Sequence, residues 1–235
     1  MSVRFGLTAA ALVLALSACS APPSFDKGAD AYKAKDYAGA LAQWRPLADQ
    51  GDARAQSNLG SLYLNGLGIA PDPSAAARWY SLAAAQGNAN AQASLGALYA
   101  QGKGVTQDFA AARSWLAKAA AQNQDEAAFN LAVLYDNGEG GQTDKAAAAR
   151  LYTQSATLGN TDAQANLGVD FATGDGVPAD PVQAYKWLTL SSRGASDPKR
   201  KAQADADLAR LAPTMTAAQV AQATAAVAAF KPASS

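Results

Sequence analysis

The stretch LGSLYLNGLG, Leu59–Gly68, returns as LGALYAQGKG at Leu95–Gly104, as LAVLYDNGEG at Leu131–Gly140 and as LGVDFATGDG at Leu167–Gly176. Each copy starts 36 residues after the last. A glycine-rich loop behind an apolar run can cradle a phosphate, but such a loop is needed once, follows a strand and carries a basic residue. Here the residue after each glycine pair is Ile69, Val105, Gly141 or Val177, and the run before it has helical spacing. Evenly spaced copies describe an internal repeat, and a repeat governs how every local motif is read.

In a 36-residue register the chain superposes on itself without gaps from about Ala53 to Ser192. Leu59, Leu95, Leu131 and Leu167 align, as do Tyr63, Tyr99, Tyr135 and Phe171. Two glycine columns are complete: Gly66, Gly102, Gly138, Gly174 and Gly68, Gly104, Gly140, Gly176. So are an aspartate column, Asp72, Asp108, Asp144, Asp180, and an alanine column, Ala76, Ala112, Ala148, Ala184. A column of large residues reads Trp79, Trp115, Leu151, Trp187.

Each column has a physical task in a pair of helices. Asp52 precedes ARAQSNLGSLYLN and can accept bonds from the free N–H groups of a first turn. Ala55, Leu59, Leu62 and Tyr63 recur at spacings of three and four, one face of a helix. Gly60 leaves room for a second backbone to approach. Gly66 follows the helix, where the chain turns left-handed most cheaply through glycine. Asp72 then caps a second helix with Pro73 at its first position, a signature repeated by Asp180-Pro181. That helix runs to about Gln86, ends at Gly87, and buries Ala76, Trp79, Tyr80 and Ala83.

The alanine pair, Leu-Gly, Tyr, Gly-x-Gly, Asp, Ala, Trp-Tyr and closing Ala-Ala with Gly resemble the Sel1-like repeat, a relative of the tetratricopeptide repeat. The resemblance covers about 27–193. Departures are local: Ala132 replaces the glycine of Leu-Gly, Asp170 stands where the other copies have Leu62, Leu98 and Leu134, and Asn123 replaces a closing glycine. The resemblance implies an all-α fold, a right-handed α-solenoid whose four repeats occupy 53–195. A shorter, tetratricopeptide-like hairpin is expected over 26–52, with Trp44 extending the tryptophan column after a one-residue slip and Pro46 bending its second helix. Beyond Gly194 the period stops. Residues 196–231 read as two capping helices, the second opened by a Thr216–Gln219 capping box.

The chain has 235 residues, 49% apolar, with 19 basic and 19 acidic side chains and no histidine. Zero net charge gives no basic face for nucleic acid. Lack of histidine removes the commonest general base and metal ligand. No metal or cofactor is expected: the aspartates sit at cap positions, and the acidic loop Asp136-Asn137-Gly138-Glu139 has the wrong spacing for calcium. The N-terminus carries Arg4, an apolar run from Phe5 to Leu16 and small residues before Cys19. The run is shorter than the roughly 20 residues a spanning helix needs and reads as a signal peptide, residues 1–18. Leu16-Ser17-Ala18-Cys19 resembles a bacterial lipobox, which implies lipidation of Cys19, the chain's single cysteine. Ser20 after it implies the outer membrane, with the body in the periplasm, and residues 19–25 read as a tether.

A hairpin of this kind cannot bury its apolar face alone; stacking does so and leaves a concave side lined by the first helices. By the resemblance, the groove would present Arg54, Asn58, Ser61 and Asn65; Asn90, Ser94 and Gln101; Glu126, Asn130 and Asn137; Asp162, Asn166 and Thr173. Amides offer a donor and an acceptor and can hold an extended backbone. A membrane-tethered scaffold binding other envelope proteins or peptides is the expected function. A cell-wall or exopolysaccharide binder, using Trp and Tyr as sugar platforms, is the alternative. A β-lactam-related enzyme, as among cysteine-rich secreted relatives, lacks its cysteine pairs here.

Overall fold

The computed structural model describes residues 22–233. The signal segment 1–18 and the lipidation position Cys19 therefore lie outside the described residues, as do residues 20 and 21 of the tether. The described chain is helical throughout, with no strand among the described residues. Among the described residues twelve α-helices follow in order: α1 (Phe25–Lys33), α2 (Tyr37–Asp49), α3 (Ala53–Asn65), α4 (Pro73–Ala85), α5 (Ala89–Gln101), α6 (Phe109–Ala120), α7 (Asp125–Asn137), α8 (Lys145–Thr157), α9 (Thr161–Thr173), α10 (Pro181–Gly194), α11 (Pro198–Leu211) and α12 (Ala217–Ala229). Each helix from α1 to α10 packs on the next, so the array is the α-solenoid that the period implies.

The turn chemistry is that of the columns. Asp72, Asp108, Asp144 and Asp180 each accept backbone N–H bonds in the first turn of the second helix. Their own N–H groups donate to the carbonyls of Tyr63, Tyr99, Tyr135 and Phe171, closing each loop on the helix before it. The first glycine of each pair ends its helix with φ of 67°, 65°, 74° and 80°. The second glycine does a different job. A Cβ at Gly104 would lie 2.3 Å from the carbonyl of Pro73, and one at Gly176 would lie 2.2 Å from that of Lys145. Each loop is thus pressed onto the first turn of the preceding repeat's second helix. Asn123 takes φ 62° where Gly87 and Gly159 close the other copies; asparagine tolerates that left-handed state better than most residues.

The leucine column holds one environment along the array: Leu59, Leu95, Leu131 and Leu167 are 0–3% exposed. The second helices bury a different column from the tryptophans. Tyr80, Leu116, Tyr152 and Leu188 are 4%, 0%, 1% and 1% exposed, whereas Trp79, Trp115 and Leu151 are only half-buried. The small residue of Leu-Gly receives these side chains: a Cβ at Gly60 would meet the Tyr80 ring, one at Gly96 or Gly168 the Leu116 or Leu188 side chain. Gly60 admits the Tyr80 ring, and at Gly96 and Gly168 the facing helix's backbone also comes close, at the Leu116 and Leu188 nitrogens. The first hairpin is also corrected. Trp44, 2% exposed, lies 36 residues before Tyr80 and packs over Gly28, so it belongs to the deep column with no slip. Asp36 and Ala40 are in phase with Asp72 and Ala76 as well; only the link between the first pair of helices is shorter. Pro46 sits in the last turn of α2, which continues to Asp49.

Buried glutamines join the repeats. Gln56, Gln92 and Gln164 are 4%, 5% and 3% exposed, and each Nε2 donates to the carbonyl of Ala48, Ala84 or Ala156 near the end of the preceding helix. The third repeat has Ala128 at that position, and Gln154 Nε2 reaches the Ala120 carbonyl instead. After α10 the geometry changes. Helix α11 packs on α10 and α9, but α12 turns back over α10. The Thr216–Gln219 capping box opens α12. Beyond it Phe230 packs edge-on against Trp187 at 5.5 Å, and the Ala233 N–H donates to the Thr157 carbonyl. That cover is why Trp187, unlike Trp79 and Trp115, is buried.

Candidate functional site: the inner face of the solenoid

Successive first helices touch one another, α3 with α5, α5 with α7 and α9 with α11. They therefore form the inner side of the array, and the cavities among their residues form a row. The first, 240 Å³, lies between Tyr32, Lys33, Trp44, Asn58 and Ser61. The second, 210 Å³, is walled by Leu64, Ser94, Leu98, Gln101, Lys103, Glu126 and Asn130. A third of 190 Å³ shares Gln101 and Asn130 with it and adds Leu116, Leu134 and Glu139. The last, 360 Å³, lies between Val169, Thr173, Leu188, Arg210 and Leu211. The first three volumes fall below the roughly 300–1,000 Å³ of drug-sized ligand pockets. They suit single side chains.

The expected groove residues divide by what else they touch. Asn58, Ser61, Ser94, Gln101, Glu126, Asn130 and Thr173 line cavities. Ser94 and Asn166 also serve the preceding repeat, Ser94 bonding to the Tyr80 hydroxyl and Asn166 to that of Tyr152, while Ser61 bonds to Tyr80 within its own repeat. Burial pushes both phenols up, Tyr152 to about 12, so they remain neutral donors. Arg54 is occupied within the chain, 3.3 Å from Asp52 and stacked 4.2 Å over Phe25. Asp162 is paired with Arg200 of the cap. Asn65 donates back to the Ser61 carbonyl, and Asn90 and Asn137 are exposed at helix ends, outside these cavities. Tyr32 and Lys33 are cavity residues that lie outside the repeat register and so were invisible to a column-by-column reading.

Two groupings carry reactive side-chain types. Ser192, Lys201 and Asp205 meet where α10 packs on α11: the serine hydroxyl donates to Asp205, and the Lys201 ammonium lies 2.7 Å from the same carboxylate and 3.4 Å from the serine oxygen. Lys201 and Ser192 hold Asp205 below the usual carboxylate range. The serine–carboxylate hydrogen bond and the ion pair tie α10 to α11, so this grouping is a latch between helices. The second gathers Asp136, Lys145, Asp170 and Asp175 at the joint of the third and fourth repeats. Burial, then Asp136 and Asp175, push Asp170 up to about 7 against the pull of Lys145. Among the described residues no three acidic, histidine or cysteine side chains are placed to hold a metal ion, and no helix is long and apolar enough to cross a membrane.

The half-buried tryptophans lie away from this row of cavities. Trp79 rests on the core of the hairpin before it and carries the Arg45 guanidinium at 5.5 Å from its ring. Lys118 and Lys186 lie 4.1 Å and 4.0 Å over Trp115 and Trp187. Cations already cover these faces, which argues against sugar platforms.

Stacked helical pairs of fixed length around an inner face define a helical-repeat scaffold. The Sel1 repeat profile matches residues 53–88, 89–124, 125–160 and 161–196, and the chain belongs to the Sel1 repeat family. Repeats of this kind generally mediate protein–protein contacts. Among solved structures, it is similar to a protective antigen present in uropathogenic Escherichia coli strains that displays an SLR fold, with TM-score 0.70 and 29% identity over 79% of this chain. The match covers 45% of the antigen, so this chain spans under half of that protein's length. A Sel1 repeat protein from Oxalobacter formigenes matches with TM-score 0.68 and 29% identity over 80% of this chain and 85% of that one. A putative Sel1 repeat protein from Klebsiella pneumoniae, at 21% identity and TM-score 0.51 over 80% of this chain and 91% of that one, shares the fold. No curated protein sequence matches the chain.

Proposed function

We propose that this protein is a lipid-anchored, non-catalytic scaffold of the bacterial envelope that holds extended segments of other proteins along its inner face. The observation that supports this most is the row of side-chain-sized cavities with amides and hydroxyls between them. Asn58, Ser94, Asn130 and Asn166 recur once per repeat beside it. An extended chain repeats its side chains at regular intervals, and amide side chains satisfy its backbone between them. The tether at Cys19 would hold the array at the outer membrane, facing the periplasm. The lipobox-like Leu16–Cys19 and the short Pro/Ser-rich link that follows support that placement.

Two experiments test the two halves separately. A photo-crosslinking residue at Gln101, inside the row, is expected to capture envelope proteins, with loss of capture on Asn130→Ala; the same probe at Leu82, exposed on a second helix, is expected to capture none. Equal capture from both positions would refute binding at the inner face. Cys19→Ser is expected to release the protein from membranes; if it still sediments with them, the lipid anchor is wrong.

A further inference from the structure

The fourth repeat departs from the other three at one place in space. Leu62, Leu98 and Leu134 are 0%, 2% and 4% exposed; the fourth repeat has Asp170 at that position, half-buried. Further departures converge on it. Asp136 stands where the other repeats have Leu64, Ala100 and Ala172, and Lys145 where they have Pro73, Phe109 and Pro181. The Lys145 ammonium donates to Asp136 at 2.6 Å and lies 3.1 Å from Asp175. It therefore ties α7 and α8 of the third repeat to the loop after α9 of the fourth. The charges of Asp136 from α7, Lys145 from α8 and Asp175 from its own loop act on Asp170, and Asp170 in turn acts on Tyr152 of α8. Helices α10 and α11, which also pack on α9, bring no charged group that acts on it.

We propose that this joint is a proton-operated coupling: with Asp170 neutral the fourth repeat seats on the third as its leucine counterparts do, and with Asp170 ionised a third carboxylate competes for the single ammonium and the joint loosens. Asp136 and Asp175 already exceed the charge of Lys145 by one. A further anion in a half-buried place adds repulsion where desolvation already disfavours it. Burial and the two neighbouring carboxylates, which push Asp170 to about 7, set the transition near neutrality. The coupling stands apart from the partner-binding reading, because it concerns the joint alone.

Amide hydrogen exchange on the full chain at pH 5.5 and 8.0, corrected for the intrinsic dependence of exchange on pH, reads it directly. The first turn of α8 and residues 173–180 are expected to exchange about tenfold faster at the higher pH, the factor of one unit of proton affinity, while the matched segment 101–108 does not change. Asp170→Leu and Asp170→Asn should both abolish the difference; the asparagine variant preserves shape should the leucine variant fail to fold. An unchanged wild-type joint, a persisting response in a folded variant, or equal acceleration along the whole array would each overturn the proposal.

Discussion

The joint between the first and second repeats and the joint between the third and fourth have the same backbone and opposite chemistry. At the first, Leu64 and Leu98 pack in one core with the buried Tyr80. At the other, the equivalent positions of Leu64 and Leu98 carry Asp136 and Asp170, with Lys145 between the strands of contact. A solenoid therefore needs apolar seams only on average. One polar seam is tolerated because its neighbours supply stability independently, repeat by repeat.

The comparison can be broken by moving the charge. Leu98→Asp places a carboxylate at a position 2% exposed, with no lysine in the role of Lys145. It should cost about 3–5 kcal/mol in urea unfolding, as an uncompensated buried charge does. A loss under about 1 kcal/mol would mean that the seams are interchangeable. Within the second repeat, Leu116→Ala should cost about 3–4 kcal/mol, since Leu116 is fully buried over Gly96. Trp115→Ala removes a half-buried ring and should cost about 1–2 kcal/mol by the area bookkeeping of the same chemistry. Reversal of that order would restore the tryptophan column as the core. Gln92→Ala removes one of two donors to the Ala84 carbonyl, which keeps the Gly87 N–H, and should cost about 1 kcal/mol, read as a shifted denaturation midpoint.

The smallest expected effect is at the polar seam. Asp170 has its native proton affinity raised, so between the ordinary value of 3.8 and about 7 the folded chain holds a proton that the unfolded chain has released. Stability from this group is intact at low pH and is lost as pH rises through that window. Asp170→Leu should therefore stabilise the chain at pH 8 by about 1 kcal/mol, a figure discounted for the half-exposed carboxylate, and by much less at pH 5. Melting curves at both pH values give the comparison, and an equal gain at each would assign the effect to packing.

The architecture was legible because helix period, cap residues and turn glycines all recur in one register, so each copy corrects the reading of the others. Legibility failed where the reading needed depth rather than face. Trp79 and Tyr80 are adjacent and both apolar, and hydrophobic spacing alone ranks the larger ring as core. The structure ranks Tyr80 deeper because it lies over Gly60, while Trp79 leans on the preceding hairpin under Arg45. The glutamine column Gln56, Gln92, Gln164 was visible as a repeat and carried no signal of burial, since glutamine is usually exposed. At the inner face the column logic indicated which positions belong to the first helices. It could not show that Arg54 and Asp162 are engaged by Phe25 and Arg200, because those partners come from outside the repeats.

The second glycine of each loop, pressed on the first turn of a helix one repeat earlier, works as a ruler. A side chain carried to that position by a slip of the loop would strike the Pro73 or Lys145 carbonyl. The loop glycine thereby fixes the spacing between one repeat and the next.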